Sequence, residues 1–456
     1  CVPGMGCVVT QAADGTACSD GDGCTTGDAC MAGVCVSGAP LVCTASDLCH
    51  IAGTCDPVAG MCTAETEKTC EYGKVCTPTT GNCDPTCPSP LYAKNYGVSS
   101  IGGLTVDAAG NQYVVAKLFG TQNFGSGDVT SAGSSDVVLF KLDPTSPNPT
   151  NAVWTRVFAG TGESANASDQ IPTGVAVNNS GKLAILGNFT SNLIVNSSLV
   201  LPGGGSPLDF VMGTDPTGAG QWGMKIDTLS GGLLSIVSHP ARSEFVICGY
   251  AQGGMTDLGL SGAYSGDELE DIVIAKLSDT GSVIWARQIG GLGSQLCRAV
   301  ALGPDGTVYA TGMYNGDLDF GDGALTWRGS SVQAIWVAKL DGADGHTLIS
   351  RGFGVSARQA ATSIAVDSQG NVAVSGNVRG SIPFGSYTVT SAGALDAYVV
   401  KFNSSLVPLW AKSWGDAAND QVSRGVAFTS VDDIVTVGYI RGSATVDSIT
   451  LTSAGL

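Results

Sequence analysis

Charge is scarce in this 456-residue chain. Asp, Glu, Lys and Arg make up only 13 % of it, and 39 acids against 21 bases give a net charge of −18. So acidic a chain excludes nucleic acid and anionic membrane surfaces as partners. Histidine is nearly missing: His50, His239 and His346 are the whole supply. They fall in different modules and in apparent loops, where histidine is usually solvated, so no shared catalytic centre is expected from them. No G-x-S-x-G elbow and no H-E-x-x-H occurs, which removes two common hydrolase signatures. Gly203–Ser206 is glycine-rich but does not continue to a phosphate-loop lysine, so a turn is expected there. No apolar run reaches the roughly 18 residues of a membrane-spanning helix. No long stretch keeps a 3.6-residue apolar period, so helices are not expected. The sequence opens at Cys1 without a leader pattern, as a mature or trimmed product would.

What is present is a repeat, clearest over residues 362–415. Ile364–Val366 and Val372–Gly376 alternate in polarity around the turn Asp367–Asn371. Asp396–Phe402 and Pro408–Trp414 alternate around an Asn-Ser turn. Alternation at period two with β-branched and aromatic residues predicts strands, so each unit is a four-stranded antiparallel meander. The glycine closing the second strand recurs at Gly187, Gly249, Gly312, Gly376 and Gly438, at spacings of 62, 63, 64 and 62, with Ala116 in an earlier copy. A third-strand lysine recurs at Lys141, Lys276, Lys339 and Lys401, with Gly213 in the gap. A fourth-strand tryptophan recurs at Trp154, Trp222, Trp285 and Trp410, with Leu348 substituting once. Four strands per repeat predict a β-propeller. Residues that recur in phase are architectural, since a catalytic residue occurs once per site; the tryptophans are expected between blades.

Leu91–Gly97 matches Leu409–Gly415 in register, so the β-domain opens with a lone fourth strand. Residues 416–456 supply two strands and a loop. Together they predict a sixth blade lacking its third strand, with Tyr92 in the place Trp410 holds, the missing strand coming from residues beyond Leu456 or from another molecule. The expected fold is thus all-β: a six-bladed propeller at 88–456, with blades near 99–160, 161–228, 229–291, 292–354, 355–415 and 416–456 plus 90–97. A region with little regular structure precedes it at 1–87.

That region holds fourteen of the sixteen cysteines: Cys1, Cys7, Cys18, Cys24, Cys30, Cys35, Cys43, Cys49, Cys55, Cys62, Cys70, Cys76, Cys83 and Cys87. Large apolar residues are few, so a hydrophobic core cannot hold it and a disulfide framework from an oxidising compartment is expected. An even count allows seven bridges of undetermined connectivity. Zinc would favour C-x2-C pairs, and none occurs. Cys18, Cys43 and Cys70 open units of 25 and 27 residues. Cys248 and Cys297, in neighbouring copies of the β-repeat, read either as buried apolar thiols or as a blade-to-blade bridge.

Two acidic clusters offer oxygen ligands for calcium: Asp20, Asp22 and Asp28, and Asp317, Asp319 and Asp322. The first is not an EF-hand, since Met31 stands where the twelfth-position Glu belongs. The competing reading of both is ordinary acidic turns. No other cofactor is indicated.

Asp14–Cys35 resembles the cysteine-rich extracellular repeats of slime-mould matrix and myxobacterial surface proteins. The β-repeats resemble the bacterial secreted β-propeller repeat called SBBP. The matching residues are Asp367–Gly376, Asp305–Gly312, Asp271–Lys276 and Trp285–Gly291, with departures at Gly213 and Leu348. Both resemblances imply a secreted or surface-bound protein, and neither implies chemistry. The expected function is an extracellular or cell-surface binding or structural module, not an enzyme, whose partner is a surface protein or glycan or a copy of itself. The alternative is a secreted glycan-processing enzyme using carboxylates in the propeller channel.

Overall fold

The computed structural model describes residues 11–68, 74–76, 81–85, 94–146, 148–160, 169–226, 232–252, 258–260, 269–325, 327, 333–354, 358–429, 431–446 and 449–453. It divides into two compact units, Cys1–Ala93 and Lys94–Leu456. The described residues contain no α-helix.

In the first unit the strands are only two or three residues long and pair as small hairpins. Three of these set cysteines opposite each other: Cys30 with Cys35, Cys55 with Cys62, and Cys76 with Cys83. The facing cysteines are not bonded to each other. One partner closes back within its unit, as Cys18–Cys35 and Cys43–Cys62. The other reaches the preceding unit, as Cys24–Cys55 and Cys49–Cys76. Each bridge closes a loop of 17 to 31 residues, worth about 3 kcal/mol apiece in the chain-entropy picture. That substitutes for a core this segment cannot build.

One expectation changes here. The hairpin register makes Cys76 the counterpart of Cys55; Cys70, expected to open a third unit, lies outside the described residues. Cys30 holds the corresponding place in the first unit and is free, whereas its counterparts Cys55 and Cys76 bond to the preceding unit. Cys83 is bonded; Cys1, Cys7, Cys70 and Cys87 lie outside the described residues.

The second unit holds five four-stranded antiparallel sheets and a sixth of two strands. Sheet one is β1 (Ser100–Val106), β2 (Gln112–Leu118), β3 (Asp136–Leu142) and β4 (Ala152–Phe158). Sheet two is β5 (Gln170–Val177), β6 (Leu183–Phe189), β7 (Leu208–Thr214) and β8 (Gly220–Ile226). Sheet three is β9 (Gly232–Ser238), β10 (Phe245–Ala251), β11 (Asp271–Leu277) and β12 (Val283–Ile289). Sheet four is β13 (Ser294–Leu302), β14 (Val308–Asn315), β15 (Ala334–Leu340) and β16 (Thr347–Phe353). Sheet five is β17 (Gln359–Val366), β18 (Val372–Val378), β19 (Asp396–Phe402) and β20 (Pro408–Trp414). β21 (Gln421–Phe428) and β22 (Ile434–Ile440) form the sixth. The expected third and fourth strands of sheet five coincide with β19 and β20.

The first strands pack in series, β1 on β5, β5 on β9, β9 on β13, β13 on β17 and β17 on β21. The core lies between sheets. Val115 and Leu139 of sheet one pack with Val175 and Ile185 of sheet two, and the pattern continues to sheet five. Tryptophans of the fourth strands sit in these seams as expected. Trp222 Nε1 donates to Asp279 O and Trp285 Nε1 to Gly342 O, both in turns of the following sheet. Lys276 and Lys339 likewise donate to Gly342 O and Ser404 O in the following sheet.

The departures acquire reasons. Gly213 leaves room for its cross-strand neighbour, since a Cβ there would lie 2.1 Å from Trp222 Nε1. The residue opposite Lys339 is Ile349, not Leu348. The turn before it is one residue longer, closed by Gly345 N–H to Asp341 O where sheet three uses Gly281 N–H to Ser278 O.

Cys248 and Cys297 are bridged and fully buried, joining β10 to β13 across the seam between sheets three and four. This selects the bridge over the free-thiol reading.

The six-bladed closure is seen only in part. Tyr96, the counterpart of Trp414, packs its ring 5.8 Å from Phe124 and 5.0 Å from Phe140, and donates to Thr150 O. That is the way Phe353 of sheet four meets Phe384 beside sheet five, at 5.1 Å. A fourth strand from a preceding sheet would sit there. However, residues 94–97 belong to no strand, and Tyr92 lies outside the described residues. Nor does the series form a closed ring among the described residues. Leu104 is 58 % exposed where its counterparts Val175, Ile236, Val300 and Ile364 are at most 8 %. At the other end Val437 is 62 % exposed where Val115, Leu186 and Cys248 are 0 %. Among the described residues, the leading face of sheet one and the trailing face of sheet six both lack a neighbour.

The Cys248–Cys297 bridge closes a loop of 49 residues. Replacing both cysteines by alanine should cost about 4 kcal/mol of stability and lower the melting temperature of the β-unit by several degrees. An unchanged thermal transition would show that the seam does not depend on the bridge.

Candidate functional site

Every first strand breaks its register once, against the same position of its second strand. The shifts fall between Ile101 and Gly103, Pro172 and Gly174, Leu233 and Ser235, Cys297 and Ala299, Ala361 and Ser363, and Ser423 and Gly425. Each is a β-bulge carrying one extra residue: Gly102, Thr173, Leu234, Arg298, Thr362 and Arg424. A bulge kinks the strand and re-aims the extra side chain.

The recurring second-strand glycine exists for this kink. A Cβ at Gly376 would lie 1.9 Å from Ala360 O, at Gly312 1.8 Å from Leu296 O, and at Gly438 2.0 Å from Val422 O. The backbones approach too closely for any side chain.

The extra residues of four successive sheets, Leu234, Arg298, Thr362 and Arg424, line one cavity of about 400 Å³ together with Met313, Gln333, Arg358 and Asn377. None of the three arginines makes a side-chain hydrogen bond or ion pair with a described residue, though Arg424 stands 5.9 Å over the Tyr439 ring. Asn377 accepts Ser423 N–H on Oδ1 and also lines this cavity. A second cavity, of about 540 Å³, runs along β1, β5 and β9 and is mostly aliphatic, with Leu104, Val106, Val175 and Ile236 in its wall. Sequence reasoning missed the bulge positions, because a bulge interrupts the period-two alternation that reveals strands. The usable signal was phase: these residues stand 14 places before the second-strand glycine or alanine in five repeats and 15 before Gly249.

The acidic clusters are spent on their own turns. Asp22 and Cys24 N–H donate to Asp20 and Asp22, and Gly38 N–H to Asp28. Asp319 accepts Gly321 N–H, Asp322 accepts Ser350 N–H and Oγ–H, and Asp317 accepts Trp327 N–H. Among the described residues, the one group of three ligand types with all donor atoms within 4.8 Å of one another is Asp341, Asp344 and His346, exposed at a turn. Its tightest contact is His346 Nδ1 to Asp344 Oδ1 at 2.6 Å. The three histidines stay apart. His50 lies in a short strand and pairs with Asp47, which raises its pKa. His239 is not solvated but buried, its Nε2 bonded to Pro304 O and its Nδ1 accepting Ala241 N–H.

The third-strand aspartates are likewise structural. Asp136 accepts Gly160 N–H and Ala132 N–H, and a Cβ at Gly415 would lie 2.2 Å from the Asp396 carboxyl carbon. Burial pushes the Asp396 carboxyl above its usual range, with Asp416 and Asp420 nearby adding to it. The turn aspartates go the other way. Burial acts upward on Asp367, but hydrogen bonds from Asn371, Lys401 and Gln369 together hold it below the ordinary value. Thr307 does the same for Asp305 through its backbone N–H.

A carboxylate with a depressed folded pKa stabilises the fold fully above its unfolded value near ~4 and loses that contribution as pH falls through the folded value. The melting temperature should therefore be nearly level from about pH 7 to 5 and fall below about pH 4. Asp367→Asn should cost about 2 kcal/mol at neutral pH and flatten the acid limb. An acid limb identical to the parent's would exonerate Asp367. Because both acidic clusters bond to their own turns, excess chelator should leave the melting curve unchanged. A drop of several degrees would reveal a bound calcium ion.

No family model matches the chain, and no curated protein matches it. Among solved structures, a protein of unknown function from Bacteroides caccae matches at 10 % identity and a TM-score of 0.29, over 60 % of this chain and 89 % of that one. A gluconolactonase from Xanthomonas campestris matches at 12 % and 0.30, over 75 % and 93 %. An apocarotenoid oxygenase from Synechocystis matches at 11 % and 0.33, over 71 % and 66 %. Likeness of this degree carries no statement about function.

Proposed function

We propose that this chain is an extracellular or cell-surface binding and structural protein, a propeller carried on a cysteine-rich stalk and serving adhesion or extracellular assembly. The observation that carries the reading is the division of labour within the repeat. Residues that recur in phase are consumed by contacts between and within sheets. The bulge residue keeps one position and changes chemistry from copy to copy. A scaffold that repeats its architecture and varies one presented side chain suits recognition of a ligand. Five disulfides among the described residues suit an oxidising, extracellular setting. No helix among the described residues is long and apolar enough to cross a membrane. Exposed apolar residues at both ends of the sheet series, Leu104 and Val437 among them, support the assembly side of the reading.

The competing reading is a secreted glycan-processing enzyme, which needs two carboxylates about 5–10 Å apart in a pocket. The arginine-lined cavity has no carboxylate in its lining, and the aliphatic one has Asp107 alone.

The two readings separate in one assay. The full chain is immobilised and exposed to neutral and acidic polysaccharides, and both retention and release of new reducing ends are measured. Retention without release is expected. Reducing ends that accumulate in proportion to protein would replace binding with catalysis.

A further inference from the structure

We propose that the cavity beneath Arg298, Arg358 and Arg424 binds an oxyanion, a carboxylate, sulfate or phosphate group carried on a hydroxylated small molecule such as an acidic sugar. This deepens the binding reading by naming its ligand class.

The argument starts from charge. Acids outnumber bases 39 to 21, so carboxylates are available as partners for cations. Lys117, Lys182, Lys276 and Lys401 each stand within 3.5 Å of one. Other arginines hydrogen-bond to backbone carbonyls: Arg242 to Asp305 O, Arg287 to Gly345 O and Arg351 to Ser350 O. Among the described residues Arg298, Arg358 and Arg424 do neither, and all three border a single cavity. Two of them are bulge residues, so the backbone irregularity itself carries them to that wall. All three are exposed, so water screens their mutual repulsion, and an anion seated among them gains from all three at once. A guanidinium offers paired N–H donors whose spacing matches the two oxygens of a carboxylate or phosphate. Gln333 and Asn377 add neutral donors and acceptors suited to hydroxyl groups, while Thr362 spends its hydroxyl on Ser375 O and Ser423 O. The lining therefore selects an anion that also carries hydroxyls over a purely apolar or cationic ligand.

The test titrates the full chain calorimetrically with glucuronate, glucose, inorganic sulfate and inorganic phosphate at low and high salt. Glucuronate should bind and glucose should not, and binding should weaken as salt rises. Sulfate and phosphate report whether the oxyanion alone suffices. If only glucuronate binds, the hydroxyls contribute as well. Arg298→Gln with Arg424→Gln should lose about 100-fold or more in affinity, since each charged hydrogen bond removed is worth roughly tenfold. Arg441→Gln, an exposed arginine outside the cavity, should bind as the parent does. Melting curves of each variant separate lost binding from lost folding. The proposal is overturned if no oxyanion binds at millimolar concentration, or if the folded double variant binds as tightly as the parent. Polysaccharide retention that survives the double variant would leave the binding function standing and remove this cavity from it. Glucuronate binding without any polysaccharide retention would do the reverse.

Discussion

A β-sheet with two apolar faces and no helix to cover either cannot stand alone, and the second unit consists of such sheets. β3, β11 and β15 are buried on both sides along nearly their whole length. Each must therefore be covered by the sheet before and the sheet after it. Everything that recurs in the sequence follows from that need. Tryptophan and lysine on the outer strands reach over the seam to the next sheet's turn. The second-strand glycine lets β-backbones close to within contact at the bulge. A disulfide stitches one seam covalently. Where a neighbour is lacking, the same positions turn from buried to exposed, as Leu104 and Val437 do.

The cysteine-rich unit meets the same need for cohesion by different means. Its residues are small and polar, and of its described cysteines only Cys49 is buried. Bridges alternate between closing a unit on itself and tying it to the unit before. Order propagates along the chain through covalent links instead of stacked faces, so the unit tolerates an almost coreless composition.

Much of this was legible from residue patterns. Strands β19 and β20 fall on the expected residues, and β3, β11 and β15 carry the third-strand lysines expected at Lys141, Lys276 and Lys339, because alternation and turn chemistry agree there. The match of Leu91–Gly97 to the fourth strands is met only in the ring contacts of Tyr96 with Phe124 and Phe140, since residues 94–97 form no strand. Two kinds of information were not legible. Cross-strand register depends on turn length, so the longer turn at Asp341–His346 moved the tryptophan position from Leu348 to Ile349. Disulfide connectivity depends on which hairpin faces which, and cysteine spacing alone left it open. The bulge residues were hidden for a third reason: they belong to neither face of the strand, so no periodicity marks them.

That last point bears on where recognition can arise in such a repeat. A side chain on either face of a sheet is constrained by the neighbour it must fit, and most outer-strand positions are committed to turns or seams. A bulge adds a residue beyond the ladder pairs, at the cost of one ladder interruption already accommodated by the facing glycine. Some copies use it for the seam: Thr173 donates to Leu233 O, Thr362 to Ser375 O and Ser423 O, and a Cβ at Gly102 would lie 2.4 Å from Pro172 O. Arg298 and Arg424 make no such bond among the described residues. Gly102, Thr173, Leu234, Arg298, Thr362 and Arg424 show how far that freedom has been used, from no side chain to a guanidinium, on one unvarying backbone feature. In a chain this acidic, two arginines at such positions concentrate positive charge where the fold itself demands none.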